Sequence, residues 1–282
     1  MPITSKVKHI LHPIQGEIWC LHRVVTRRSI FPGNRELEIT PDYLERLIAE
    51  HQQCGYLFVS MDEIVDNIHR CPLDLRRKKR VNITFDDGFH DVYDNAFPIL
   101  KKHHIPFTVY LVGNFPEGTS DIWWIQLERY ANGNVDWFEK TMKEIYQSSR
   151  NMRDVMHEIT RSVPDHGLCE KLALTWEQLK EMVDSGLCTL GAHSMTHPGL
   201  TRISADEVRD ELMESKRIIE EHLPIKVKHF SYPHSMENLK IQTLLKETGY
   251  KTATMGYGGK VRNGDNLYKL NRRYITQDCM IA

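Results

Sequence analysis

The chain has 282 residues, 40% of them hydrophobic and 27% charged, with a formal net charge of -1. That length and balance suit one barrel-sized α/β domain and exclude a largely disordered chain. The near-zero charge supplies no basic field for nucleic acid, and no apolar run approaches the ~20 residues that span a bilayer.

The first residues, "MPITSKVKHILHPIQGEIW", lack the uninterrupted apolar core of a secretory signal, which predicts a cytoplasmic protein. Six scattered cysteines with no C-x-x-C pair predict reduced, mostly buried thiols. "EIWCLHRVV" (17–25) reads as a strand and "TPDYLERLIAEHQQCG" (40–55) as a helix. Thr40 is its cap candidate, Tyr43, Leu44, Leu47 and Ile48 its apolar stripe, and Gly55 its stop. "YLFVSMDEI" returns as strand and turn, followed by the solvated charge run "RRKKR". "VNITF" (81–85) is the clearest buried strand, "VYDNAFPILKKHH" (92–104) a helix, and "PFTVYLVG" (106–113) a strand.

The alternation then breaks over 114–172, a charged helical stretch that reads as an insertion over one end of the sheet. It resumes with the helix "LTWEQLKEMVDSG", where Thr175 and Gln178 can form a capping box and Gly186 a stop. Strand "CTLGAHS", helix "SADEVRDELMESKRIIEEHL", strand "VKHFSYP", helix "NLKIQTLLKETG" and strand "YKTATM" follow. Repeated βα units predict a mainly parallel sheet, in one domain over 1–282 with one insertion.

Three stretches at predicted strand ends carry chemistry, where loops of α/β folds converge. In Thr84-Phe85-Asp86-Asp87-Gly88, two adjacent carboxylates cannot both be desolvated cheaply. A cation would neutralise one and leave the other as a base, although a solvated Asp-Gly turn accounts for the pentapeptide equally well. In "HSMTHP", His193 and His197 stand four apart in a loop, a spacing that lets two imidazoles share one metal. With 15 histidines in the chain, coincidence is the competing explanation. "FSYPHS" (230–235) could aim backbone N–H groups at a developing oxyanion, or be a plain loop.

Together these stretches resemble the polysaccharide deacetylase family, carbohydrate esterases with a NodB-type domain. The family's T-F-D-D-G stands as Thr84–Gly88 and its H-[ST]-x-x-H-P as His193–Pro198. The resemblance runs from about residue 15 to 275, excluding the insertion, and implies a distorted or incomplete (β/α) barrel. By it, Asp86 is the general base, and Asp87, His193 and His197 hold one divalent metal ion, zinc first, with cobalt or nickel as alternatives. The backbone N–H of His234 serves the oxyanion hole. Two features depart from the pattern. Ser231 replaces an arginine that many members carry, leaving Arg272 or Arg273 as the candidate to orient Asp86. The stretch "LNRR" replaces a C-terminal Leu-x-His, so Arg272 stands where the general-acid histidine is expected.

A branch resembling poly-N-acetylglucosamine deacetylases carries its acid in an N-terminal strand, which "CLHRV" matches, making His22 the candidate; a structural strand-end histidine is the alternative. Leu270 is a candidate for the acyl pocket. Trp123 and Trp124 are candidates to stack on sugar rings, or else bury the insertion against the barrel. The resemblance thus implies a metal-dependent N- or O-deacetylase of an acetylated amino sugar or oligosaccharide. Hydrolysis of a small non-sugar amide is one alternative, and a degenerate glycan-binding relative is another.

Overall fold

The computed structural model describes residues 14–68 and 79–278. Cys71, Cys279, the N-terminal stretch before residue 14 and most of "RRKKR" lie outside them. Cys20, Cys54, Cys169 and Cys188 are free thiols; Cys20 and Cys169 are buried, and Cys54 is exposed.

Seven strands build the centre: β1 (Ile14–Leu21), β2 (Arg80–Phe85), β3 (Phe107–Leu111), β4 (Cys188–Ala192), β5 (His229–Ser231), β6 (Thr252–Gly258) and β7 (Leu270–Tyr274). Each is parallel to its neighbour in chain order, and β1 pairs with both β2 and β7, so the sheet closes into a barrel. The ring has seven strands where a full (β/α) barrel has about eight. Short flanking strands, Leu57–Phe58 and Lys260–Arg262, pair with β2 and β1.

The apolar reading of "VNITF" conceals a two-faced strand. Strand side chains alternate, so Val81, Ile83 and Phe85 share one face, in the main hydrophobic core, and Asn82 and Thr84 share the other with Asp86. The polar face is satisfied inside: Thr108 Oγ1 donates to Asn82 Oδ1 at 3.1 Å, and Thr84 Oγ1 to the Trp19 carbonyl at 2.6 Å. Buried polar groups on this face cost little because each has a partner.

Helices form where caps and stripes predict them. Thr40 Oγ1 accepts from the Tyr43 N–H at 3.3 Å, and the helix Pro41–Gln53 buries Tyr43, Leu44, Leu47 and Ile48. Thr175 and Gln178 form both bonds of a capping box on the helix Trp176–Asp184. The segment after β3 folds as four helices, Trp123–Ala131, Val135–Gln147, Met152–Thr160 and His166–Leu172. The helix predicted over 92–104 begins with a π-helical turn, Val92–Ala96, before α-helix Phe97–Lys102. Among the described residues no helix is long and apolar enough to cross a membrane.

Candidate active site

Because the seven strands are parallel, their carboxyl ends share one rim, and every motif singled out above lies on it or just beyond. His22 follows β1, Asp86 and Asp87 follow β2, His193 and His197 follow β4, and His234 follows β5. Asp86 is still tied to the sheet, its N–H donating to the Leu21 carbonyl at 2.9 Å. The chain then turns left-handed twice, at Asp87 (φ 73°) and Gly88 (φ 100°). A Cβ on Gly88 would stand 2.5 Å from Leu111 Cδ1, so the turn requires glycine for space as well as for φ. The turn parts the carboxylates: Asp86 keeps the strand's inward direction and Asp87 swings toward the histidines.

Asp86 is clamped. Arg272 Nη1 and Nη2 donate to its two oxygens at 2.7 and 2.5 Å, and Ser231 Oγ donates to Oδ2 at 3.1 Å. Arg272 is fully buried, with further bonds to the Met255 carbonyl (2.5 Å), Thr84 Oγ1 (2.9 Å) and Ser231 Oγ (2.9 Å). A register shift in the β7–β6 pairing between Leu270 and Arg272 accompanies this inward turn, as bulges commonly re-aim a side chain. Burial alone would raise the Asp86 carboxyl, but the Arg272 guanidinium and the His193 ring together hold it well below the usual range. Of the two arginines proposed to orient Asp86, Arg273 instead faces Glu17 at 3.4 Å.

Asp87, His193 and His197 converge, with one potential ligand atom from each lying within 4.8 Å of the other two. Asp87 Oδ1 is 3.4 Å from His193 Nε2 and 3.3 Å from His197 Nε2. His193 Nδ1 lies 2.8 Å from the Ser231 carbonyl and donates to it, which orients the ring with Nε2 facing Asp87. Burial, then His234, push the His197 imidazole well below its usual pKa, favouring the neutral ring that a metal requires. Against its burial, the Asp86 and Asp87 carboxylates raise the pKa of the His193 imidazole. A carboxylate from the loop after β2 and two imidazoles from the loop after β4 fit a divalent ion with open positions.

These groups line a cavity of about 460 Å³. His22 lies at its edge, its ring 5.8 Å from that of Tyr274 and a ring nitrogen within 4.8 Å of an Asp86 oxygen. Burial pushes His22 below the usual imidazole value, against the pull of Asp87 and Asp86. His234 stands left-handed (φ 54°) with its ring 4.5 Å from that of His197, and among the described residues its N–H has no partner. Burial, then the charges of His193 and Arg202, hold its imidazole down to about 3.

The three substrate candidates separate. Trp124 lines the cavity with its ring 4.9 Å from His197, its backbone carbonyl anchored by Asn34 Nδ2 at 2.8 Å. Trp123 does not line it; buried against Trp124 and Tyr146, it packs the helical segment onto the barrel. Leu270 is also away from the cavity. It opens β7, before the register shift, and is buried in a separate cluster with Ile18, Met61 and Val261. Tyr146, from the helix Val135–Gln147, lines the cavity without having been singled out in the sequence. As one aromatic on a helical stripe it carries no signal there, and only the fold brings it to the rim.

Known proteins resemble the chain throughout. The Bacillus subtilis polysaccharide deacetylase candidate YxkH is 23% identical over 195 residues, 69% of this chain and 51% of YxkH, so the chain spans about half of that relative. A 37-residue stretch is 57% identical to the poly-β-1,6-N-acetyl-D-glucosamine N-deacetylase of Staphylococcus epidermidis, covering 13% of each protein. Among solved structures, the Streptococcus pyogenes deacetylase PplD with acetate superposes with a TM-score of 0.69 at 22% identity, covering 93% of both chains. IcaB from Ammonifex degensii gives 0.66 at 23%, covering 94% of both. These likenesses establish the barrel fold. Residues 75–253, more than half of the chain, match the polysaccharide deacetylase family, and the chain belongs to it.

Proposed function

We propose that the chain is a metal-dependent deacetylase hydrolysing N-acetyl or O-acetyl groups of a carbohydrate. The observation that carries this reading is the convergence of Asp87, His193 and His197 beside a second carboxylate, Asp86, that Arg272 clamps through both oxygens and whose Oδ2 lies 3.9 Å from His193 Nε2. The donor set suits zinc, and cobalt or nickel would also accept it. Bound there, a divalent ion would polarise the acyl oxygen and acidify water toward pKa ~7. The stretch similar to the Staphylococcus epidermidis enzyme favours an N-acetylglucosamine polymer or oligomer as the substrate.

The chain's own residues supply the rest. Asp86, with both oxygens oriented by Arg272, accepts a proton from the attacking water. The unpartnered His234 N–H donates to the developing oxyanion, a role a backbone group keeps whatever its side chain. The proton that Asp86 takes from water passes through His22, whose ring nitrogen lies within 4.8 Å of an Asp86 oxygen, to the leaving nitrogen or oxygen, so the proton balance closes within the site.

The test is elemental analysis of the purified protein beside Asp87→Ala and His193→Ala, with acetate release from N-acetylglucosamine oligomers. Near one ion per chain, absent from both variants, with acetate released only by the loaded wild type, is the expected result. A wild type that retains no metal after loading and desalting overturns the reading.

A further inference from the structure

The cavity has a wall that the barrel does not provide. Trp124, Met142 and Tyr146 come to it from the helical segment between β3 and β4. Four rings run in a row from this wall inward: Tyr146, His234, His197 and His193, with successive centroid separations of 5.7, 4.5 and 4.9 Å. Exposure falls along the row, from 43% at Tyr146 to 2% at His193. Tyr146 therefore stands at the mouth, two rings out from the proposed metal ligands.

Its hydroxyl lies 3.2 Å from His234 Nδ1 and has no other partner among the described residues. A phenol offers one donor and acceptor lone pairs. Whichever atom carries the shared proton, at least one hydrogen-bonding function of Tyr146 remains free.

The position is also fixed rather than frayed. The Arg202 guanidinium donates to the carbonyls of Ile145 (3.3 Å), Tyr146 (2.7 Å) and Arg150 (3.1 Å), holding the end of the helix Val135–Gln147. The segment that follows His197 thus secures the tyrosine as well. A helix end left with unsatisfied carbonyls would otherwise fray.

We propose that Tyr146 is a specificity-determining residue whose free hydroxyl function hydrogen-bonds a hydroxyl or amide of the sugar, outside the acyl group. The helical segment thereby reads the carbohydrate while the barrel rim performs the hydrolysis. This inference rests on the deacetylase reading above.

Its test compares two substrates on the metal-loaded protein: a four-residue N-acetylglucosamine oligomer and 4-nitrophenyl acetate, which has an acyl group and no sugar. Tyr146→Phe removes only the hydroxyl. One lost hydrogen bond predicts a KM for the oligomer raised about 3- to 10-fold with little change in kcat. The loss on 4-nitrophenyl acetate is expected to stay under about twofold. Equal losses on both substrates would place Tyr146 in the acyl chemistry or the fold and overturn the proposal, as would no change on either. A wild type that turns over neither substrate fails at the deacetylase reading itself, a result distinct from any of these.

Discussion

Arg272 meets Asp86 through two parallel hydrogen bonds, a fork that a lysine ammonium cannot reproduce. Arg272→Lys keeps the charge and loses the second bond, so kcat is expected to fall by about 10- to 100-fold, with metal content unchanged by elemental analysis. Arg272→Met leaves a buried carboxylate unpaired and costs about 3–5 kcal/mol, read by denaturant titration. The pH dependence has a definite sign. Asp86 is held below its unfolded value, so its stabilising effect is present above that value and lost as pH falls through the lower folded one. Without Arg272 the carboxyl rises, and the acid limb of the kcat/KM profile should move to higher pH. At this scale much of the site was legible from types and spacing: Asp86, Asp87, His193 and His197 share the rim, and Arg272 was one of two arginines considered. Leu270, two residues before Arg272, lies away from the cavity, and Trp123, beside Trp124, takes the packing role that was its alternative. Which way a side chain points at a strand end or helix start depends on register and packing, which spacing does not encode.

The turn after β2 shows what an element can demand of one position. Gly88 needs a left-handed φ and touches Leu111, a fully buried core residue. Gly88→Ala is expected to destabilise by about 1–3 kcal/mol and to lower metal occupancy, because relief of the contact displaces the neighbouring Asp87. Guanidinium unfolding with elemental analysis checks both. The capped helices were legible because each had a side-chain cap and an apolar stripe. The strand β7 was not: "LNRRY" carries two arginines and no apolar alternation, since one of those arginines points into the barrel. A functional side chain inside a small barrel erases the periodic signal of the strand that bears it.

For the molecule as a whole, the βα alternation indicated a parallel sheet, but its closure depends on β7 reaching β1, the pairing that the pattern hid. On the proposed reading, an ion held at the rim would couple to the fold. An ion that binds only the folded chain stabilises it by about 2.7 kcal/mol at a hundred times its dissociation constant. For a domain of this size that corresponds to a rise in Tm of roughly 5 °C. A thermal scan should show the rise with zinc, its reversal by chelator, and its absence in His193→Ala.

The link between Asp86 and Arg272 spans 186 residues of sequence. On the ribosome, Asp87, His193 and His197 all emerge well before β7 is made. A nascent chain therefore exposes Asp87, His193 and His197 while the barrel is still open, and Asp86 acquires its clamp only when the strand that seals the barrel arrives. The order of synthesis makes orientation of that carboxylate one of the last events of folding, so a chain truncated before β7 is expected to lack the clamp and the closed barrel together.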